Sequence, residues 1–354
     1  MKETLAIGLM SGSSLDGLDL ALVRFTSDEG RYTYAIKEAV TLPYPEVWSA
    51  RLAHAFLAKP EELRSLDLEY GVFLGQQVKH FVDQCGIKPD FVASHGHTVF
   101  HQPEKRYTLQ IGDGQAIADQ CGLLTINDFR TEDVSKGGQG APLVPIGDRL
   151  LFGAYDICLN IGGIANLSYE DQDQRIAYDI CIANQALNWL AQREGLSYDK
   201  DGRIAQKGTL DQALLDVLNS HAFYCQQPPK SLGREFFETF QRPLLETCDT
   251  ANALTTFTEH IAMQIAQTAE PLPKGKMLIT GGGAHNTYLV ERIQHHTKHQ
   301  VVIPDPQTID YKEALIFALL GLLRLEGRTN VLCSVTGAPT DSCSGHLWKP
   351  KSTI

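Results

Sequence analysis

The 354-residue chain has no closely spaced pair of cysteines. Its eight, Cys85, Cys121, Cys158, Cys181, Cys225, Cys248, Cys333 and Cys343, stand at wide, irregular intervals with no Cys-x-x-Cys. That spacing supports neither a zinc ribbon nor a thioredoxin-like motif, and it points to reduced, mostly buried thiols in a cytoplasmic protein. No apolar run reaches bilayer length. The longest, Ala314 to Leu325, contains Gly321 and Arg324 and falls short of the ~20 residues a spanning helix needs. Met1-Lys2-Glu3-Thr4 leads straight into Leu5 to Met10, a stretch shorter than a signal-peptide core and without a small-residue cleavage site. No cluster of lysine and arginine is present, and acidic residues exceed basic ones, 42 to 31, for a formal net charge of −11. A nucleic-acid backbone is therefore not an expected partner. Three catalytic signatures are also missing. There is no Gly-x-x-x-x-Gly-Lys-Ser/Thr, no Gly-x-Gly-x-x-Gly opening a helix, and no Gly-x-Ser-x-Gly around Ser94-His95-Gly96 or elsewhere, which argues against P-loop, Rossmann and serine-hydrolase chemistry.

What is present is ordinary globular composition, 43% hydrophobic and 21% charged, in a length that suggests about two domains. Leu5 to Met10 forms an expected strand, followed by the small-residue loop Ser11-Gly12-Ser13-Ser14-Leu15-Asp16-Gly17 and a second strand in which Leu18, Leu20 and Leu22 alternate. A similar hairpin recurs at Ile157 to Ile161, Gly162-Gly163, and Ile164 to Leu167, which suggests two related domains. Helices are expected over Glu69 to Cys85, stopped by Gly86, and over Ala213 to Asn219 behind a Thr209/Gln212 capping box. Another is expected over Tyr311 to Glu326, with Asp310 as N-cap and an apolar surface nearly all round after Glu313. Strands alternating with helices give an α/β class. The domain boundary is placed near Ile126-Asn127-Asp128, as 1–126 and 127–354, with a mobile glycine-rich stretch from Ser135 to Gly140.

Three glycine-rich turns follow apolar strands: Gly12-Ser13-Ser14, Gly162-Gly163 and Gly281-Gly282-Gly283. Glycine lets backbone N–H groups approach an anion and permits positive φ in tight turns. Ser13 and Ser14 add hydroxyl donors, and Asp16 and Asp19 could help hold Mg²⁺ through water. The third turn precedes a helix expected near Asn286 to Ile293, whose N-terminus could receive a nucleotide. Each turn alone is equally compatible with a plain tight turn. Together they fit a two-lobed, actin-like and hexokinase-like arrangement in which loops from both lobes grip ATP in the cleft between them. Asp179, at the end of Arg175-Ile176-Ala177-Tyr178, is a candidate general base; a solvated or capping aspartate is the alternative. His95, His97 and His101 invite a metal reading, but Val99 and Pro103 favour extended structure that would turn them apart.

These residues resemble the anhydro-N-acetylmuramic acid kinases and their relative levoglucosan kinase. The matching stretches are Gly8-Leu9-Met10-Ser11-Gly12-Ser13-Ser14-Leu15-Asp16-Gly17, Ser94-His95-Gly96-His97-Thr98, Gly112-Asp113-Gly114, Asp128-Phe129-Arg130 and residues 137–145. Beyond them come Asn160-Ile161-Gly162-Gly163-Ile164-Ala165-Asn166, Asp199-Lys200-Asp201-Gly202, residues 229–235, Gly281-Gly282-Gly283-Ala284-His285-Asn286 and Lys312-Glu313-Ala314. The resemblance covers nearly the whole chain in order. It implies an acetate-kinase/hexokinase/actin-like fold with a duplicated ribonuclease-H-like core. It also implies a cytoplasmic, ATP- and Mg²⁺-dependent kinase of peptidoglycan recycling that opens the 1,6-anhydro bridge with water while phosphorylating O6. Carried over by position, Gly12, Ser13, Ser14, Asp16, Gly17 and Asp19 belong to the first phosphate loop, with Asp16 near the metal. Asn160, Gly162 and Gly163 belong to the second loop, and Gly281, Gly282 and Gly283 lie against the adenosine. Asp179 matches the aspartate that deprotonates water, and Thr98, Arg130 and Glu313 match residues lining the sugar. Glu313 is expected in the first turn of its helix, where the dipole favours negative charge. A homodimer is common among such kinases.

The chain departs from the family at one loop. Where the family reads Asp-Thr-Gly-Pro-Gly-Asn, this chain reads Asp179-Ile180-Cys181-Ile182-Ala183-Asn184, which adds bulk and removes two glycines. His97 replaces a glutamine, and Ser13 replaces a threonine. A kinase for a different sugar and a non-catalytic sugar- or nucleotide-binding relative therefore stay open beside the family reaction.

Overall fold

Apolar alternation builds two sheets with one shared topology. The computed structural model describes residues 1–12, 15 and 17–351 and divides into two units, Met1–Leu151 with Tyr311–Ile354, and Phe152–Asp310. The first unit contains β1 (Lys2–Ser11), β2 (Leu18–Asp28), β3 (Arg31–Leu42), β4 (Phe91–Ser94), β5 (His97–Gln102), β6 (Tyr107–Ile111) and β7 (Leu124–Asn127). Its main sheet runs β7-β4-β1-β2-β3, with His346–Trp348 added beside β7. β1, β2 and β3 form an antiparallel meander, and β4 and β7 continue it in parallel. The second unit contains β8 (Ile157–Ile161), β9 (Ile164–Asp171), β10 (Gln174–Ile182), β11 (Lys276–Thr280) and β12 (Gln300–Val302). Their order is β10-β9-β8-β11-β12, again a meander extended by two parallel strands. The duplicated core expected from the two hairpins is present, in a mixed α/β fold.

Leu18, Leu20 and Leu22 pack with Ile7, Leu9, Tyr70, Leu74 and Val78 in the core of the first unit. The opposite face of that sheet meets the helix Pro306–Leu325, whose residues Ala314 to Leu320 are buried, as their all-round apolarity leads one to expect. Gly8 makes that approach possible, since a Cβ there would overlap the carbonyl of Ala314. In the second unit, Phe257 and Ile261 of the helix Thr250–Ala269 fill the core with Leu159, Ile161 and Leu190.

Several boundaries differ from expectation. The expected break after Ile126 falls inside β7, and the first unit instead extends to Leu151 and regains the chain from Tyr311. The helix ending at Cys85 begins at Pro60, because Pro60 occupies its first turn and the Glu62 carboxylate accepts from the Lys59 N–H. The cap of Gln212–Asn219 is Asp211, which accepts from Leu214 N–H, rather than Thr209. Asp305 takes the role given to Asp310 by accepting from Thr308 N–H. Asp310 and Glu313 therefore lie inside the helix, and the dipole argument for Glu313 fails. The glycine-rich stretch is tied down. Gly138 N–H donates to the Asp133 carbonyl and Gly140 N–H to the Asp133 carboxylate, which also accepts from Thr336. All eight cysteines are free thiols, but only Cys158 and Cys181 are fully buried. Among the described residues, no helix is long and apolar enough to cross a membrane.

Candidate active site

In the first unit, β1 ends at Ser11 where the glycine loop begins. Gly12 accepts from Leu15 N–H at 3.3 Å, and Leu15 adopts a left-handed φ of 59°. Gly17 backs onto β3, where a Cβ would come within 2.8 Å of the Leu42 carbonyl oxygen. Ser13, Ser14 and Asp16 lie outside the described residues. Beneath the loop runs a buried polar chain. Tyr44 donates to Ser11 Oγ at 2.8 Å and pairs with Tyr70 OH at 2.7 Å, and Ser11 Oγ lies 3.1 Å from His97 Nδ1. Burial holds the His97 imidazole down at about 4, so it is neutral near pH 7. On the same strand, His101 Nδ1 faces Thr108 instead. The three histidines thus have separate partners, and among the described residues no group of three or more His, Cys, Asp or Glu could hold a metal.

Arg130 and Glu313 come together in this unit. The Arg130 guanidinium donates to His95 Nε2, at 2.9 Å from one terminal nitrogen, and to the Gly140 carbonyl at 2.7 Å. Burial lowers Arg130 to about 10, and the Glu313 charge pulls the other way. Glu313 is solvent-accessible yet hemmed in by protein; desolvation raises its carboxyl above the usual range, against the opposing pull of Arg130. Its neighbour Lys312 is anchored by a 2.7 Å ion pair with buried Asp148, which fixes this stretch of helix. Thr98 accepts from Gln110 at 3.4 Å on the β5–β6 hairpin. Asp19 accepts from Thr41 at 2.6 Å on the first face of β2 beyond the loop.

In the second unit, the Gly162-Gly163 turn is gripped by the backbone that follows β10. Ala183 and Gln185 N–H donate to the Gly163 carbonyl, Asn184 N–H donates to that of Gly162, and the Asn184 side chain donates to Ile161. Asn160 on β8 lies opposite Asn166 across the hairpin and beside Thr280. Gly281 has φ of 81°, and a Cβ there would meet Asn160 Oδ1 at 2.6 Å, so glycine is required both for conformation and for space. Gly283 is equally tight against Ile161, whereas Gly282 is open. The following single helical turn leads to Asn286, which caps Thr287–His296 by accepting from Leu289 N–H.

Asp179 stands at a bulge in β10, between its pairing with Asn166 and that of Cys181 with Ala165. Its Oδ2 accepts from Leu232 N–H at 2.8 Å and its own N–H donates to the Lys230 carbonyl. Desolvation raises its carboxyl above the ordinary range, partly offset by the Leu232 bond. A half-buried carboxylate with one oxygen fixed and an elevated proton affinity is suited to accept a proton from water. Ile180, Cys181, Ile182 and Ala183 all turn into the core.

Beside Gly282 opens a cavity of about 540 Å³, lined by Asn184, Leu187, Asn188, Leu254 and Thr258, with Asp199, Lys200, Asp201, His285 and Asn286 toward its polar side. Asp133, Asn188, Leu254 and Thr258 join the site without having been expected there, and His95, expected only as a metal candidate, instead accepts from Arg130. His95 lies within a motif that resembles the family. Thr258 had only a faint signal, a threonine-rich stretch in an otherwise apolar helix.

One family and its members match this chain over nearly its whole length. The family described as Anhydro-N-acetylmuramic acid kinase matches residues 4–350. The anhydro-N-acetylmuramic acid kinase of Vibrio cholerae is 35% identical, over 99% of this chain and 99% of its own. That of Mannheimia succiniciproducens is 34% identical, over 98% of this chain and all of its own. Among solved structures, component A of the Acidaminococcus fermentans (R)-2-hydroxyglutaryl-CoA dehydratase aligns with 90% of this chain and 97% of its own, at 14% identity and a TM-score of 0.46.

Proposed function

This chain belongs to the anhydro-N-acetylmuramic acid kinase family, and from that premise we propose that it hydrolytically opens 1,6-anhydro-N-acetylmuramic acid and transfers phosphate from ATP to O6. The product is N-acetylmuramic acid 6-phosphate, made in the cytoplasm during peptidoglycan recycling by an enzyme acting as a homodimer. The observation that carries the reading is Asp179, a desolvated carboxylate held through Oδ2 by Leu232 N–H.

Asp179 removes a proton from water as the water oxygen bonds to C1 of the sugar. The C1–O6 bond breaks, O6 bonds to the γ-phosphorus, and ADP leaves. Arg130, Glu313 and Thr98 bind the sugar, with the guanidinium of Arg130 held in place by His95 and Gly140. The N–H groups of the glycine turns at Gly12, Gly17 and Gly163 hold phosphate oxygens beside Gly162, whose own N–H donates to the Ile164 carbonyl, and Gly281 to Gly283 receive the adenosine. Mg²⁺ commonly takes one or two carboxylates with the rest of its shell from phosphates and water. Asp19, whose carboxylate Thr41 orients, fits that donor set, with Asp16 as a second candidate through water. When bound, Mg²⁺ neutralises charge developing on the transferring phosphoryl group.

Coupled ADP release with Mg²⁺-ATP tests the reaction. One ADP per 1,6-anhydro-N-acetylmuramic acid, with no turnover without ATP, is expected. Preference for N-acetylmuramic acid or glucose would reassign the sugar. Absence of ADP release from a folded, ATP-binding protein would favour a binding relative.

A further inference from the structure

Three of the buried threonines of the helix Thr250–Ala269, Thr255, Thr256 and Thr258, have hydroxyls that meet different fates. Thr255 donates to the carbonyls of Ala205 and Ala251, and Thr256 donates to that of Asn252. Such bonds to the preceding turn are the usual way for a helical threonine to satisfy itself. Thr258 is 0% exposed, yet its Oγ1 has no hydrogen-bond partner. A buried hydroxyl left unpaired is destabilising, so an orphan of this kind requires an explanation. Thr258 lines the 540 Å³ cavity beside Gly282, and the helix that bears it contributes Leu254 one turn earlier.

The cavity is graded. Leu187, Asp199, Leu254 and Thr258 are its buried members, while Tyr198, Lys200, Gly282 and His285 are exposed. Several of its other polar groups already have partners. The Asp199 carboxylate accepts from Ile204 and Ala205 N–H, His285 pairs with Asp310, and Asn286 caps its helix. The buried members thus offer two leucine side chains, a carboxylate already committed to backbone N–H groups and one uncommitted hydroxyl, which suits a flat heterocycle with a polar edge and disfavours a phosphate.

We propose that Thr258 is a specificity-determining contact to the base of the nucleotide, its Oγ1 hydrogen-bonding an edge of the ring at the closed end of the cavity. The assignment rests on the kinase reading above and adds to it the residue that recognises the base. A rotatable hydroxyl can donate to a ring nitrogen or accept from an exocyclic amine.

Thr258→Val, close to isosteric, gives effects of opposite sign on the free and bound protein. Without nucleotide the variant melts about 1–3 °C higher, because a buried unpaired hydroxyl is gone. With Mg²⁺-ATP its KM for ATP rises about 3- to 10-fold while kcat stays within about twofold, the signature of a lost uniform-binding contact. Thr258→Ser, which keeps the hydroxyl, restores most of the affinity. The same factor is lost with 2′-deoxy-ATP as with ATP. A loss confined to ATP would place Thr258 on the ribose and overturn the assignment, as would a Thr258→Val protein with unchanged KM and unchanged stabilisation by nucleotide. Wild-type protein that Mg²⁺-ATP fails to stabilise would sink the kinase reading itself, and this assignment with it.

Discussion

The two hairpins that open the two sheets are topological equivalents, yet they are held by different chemistry. Among the described residues, the first is anchored by side chains at its base, where Ser11 joins Tyr44, Tyr70 and His97 in a buried polar chain. The second rests mainly on main chain, with three successive N–H groups from Ala183 to Gln185 donating to Gly162 and Gly163 beside one side-chain bond from Asn184 to Ile161. A side-chain anchor depends on which residues are present. A main-chain anchor depends only on the path of the backbone. This explains how the second unit accommodates Ile180-Cys181-Ile182-Ala183 where the family carries threonine, glycine and proline. The replacements fill the core of that unit while the N–H groups that hold the turn keep their acceptors.

Asp179, next to the rebuilt segment, gives the largest expected effect. Asp179→Asn removes the proposed base and lowers turnover about 10²- to 10⁴-fold, while Asn can still accept from Leu232 N–H. Because burial raises its carboxyl above the unfolded value, the native protein binds this proton more tightly than the unfolded chain. Ionised Asp179 therefore opposes folding at neutral pH, and its contribution improves as pH falls through the raised value. Asp179→Asn is accordingly expected to melt at or above the wild-type temperature at pH 8 while losing turnover. A variant that lost stability and kept full turnover would make Asp179 structural. In the wild type, the acidic limb of kcat/KM lies above the ordinary carboxylate range.

The side-chain anchor has its own pH signature, of opposite sign. His97 is held near 4 by burial, against an ordinary value of 6.5. The unfolded chain therefore binds the extra proton first. The stabilisation is complete above pH 6.5 and is lost as pH falls from there toward 4, amounting to about 3 kcal/mol. His95 and, in the second unit, His260 are depressed by burial in the same direction. His97→Gln keeps a hydrogen-bonding group beside Ser11 and removes the titration. Urea unfolding at pH 7.5 and pH 5 is expected to show a smaller difference in that variant than in the wild type. An identical difference would mean that His97 titrates alike in both states.

How much of this was legible in the sequence depended on the interaction involved. Both hairpins and the buried stretch after Glu313 followed from alternation and composition, which report on burial face by face. Helix starts were missed where the cap lay outside the apolar pattern, at Lys59-Pro60 and at Asp305. The domain boundary was missed because β7 pairs in parallel with β4, a contact carried by no local signal, and because the chain re-enters the first unit at Tyr311. Arg130 and Glu313 were identified through motif resemblance. Their electrostatic coupling arises from a sequence separation that no spacing rule spans. Thr258 stayed hidden because an unpartnered hydroxyl is a property of packing.

The smallest effects separate the two anchors most directly. Ser11→Ala leaves Tyr44 and His97 without their shared partner in a buried setting, at a cost of about 1–2 kcal/mol. Because Ser11 adjoins Gly12, a proposed phosphate contact, turnover falls with it. Cys181→Ala removes one buried sulfur from an apolar site and costs about 1 kcal/mol through the small void it leaves. The Gly162-Gly163 turn keeps its N–H donors, so turnover at saturating ATP is expected to stay within about twofold of the wild type. Equal losses of turnover in the two variants would show that side chains hold both loops. A loss in Ser11→Ala alone would show that the second unit tolerates its altered segment because its anchor is main chain.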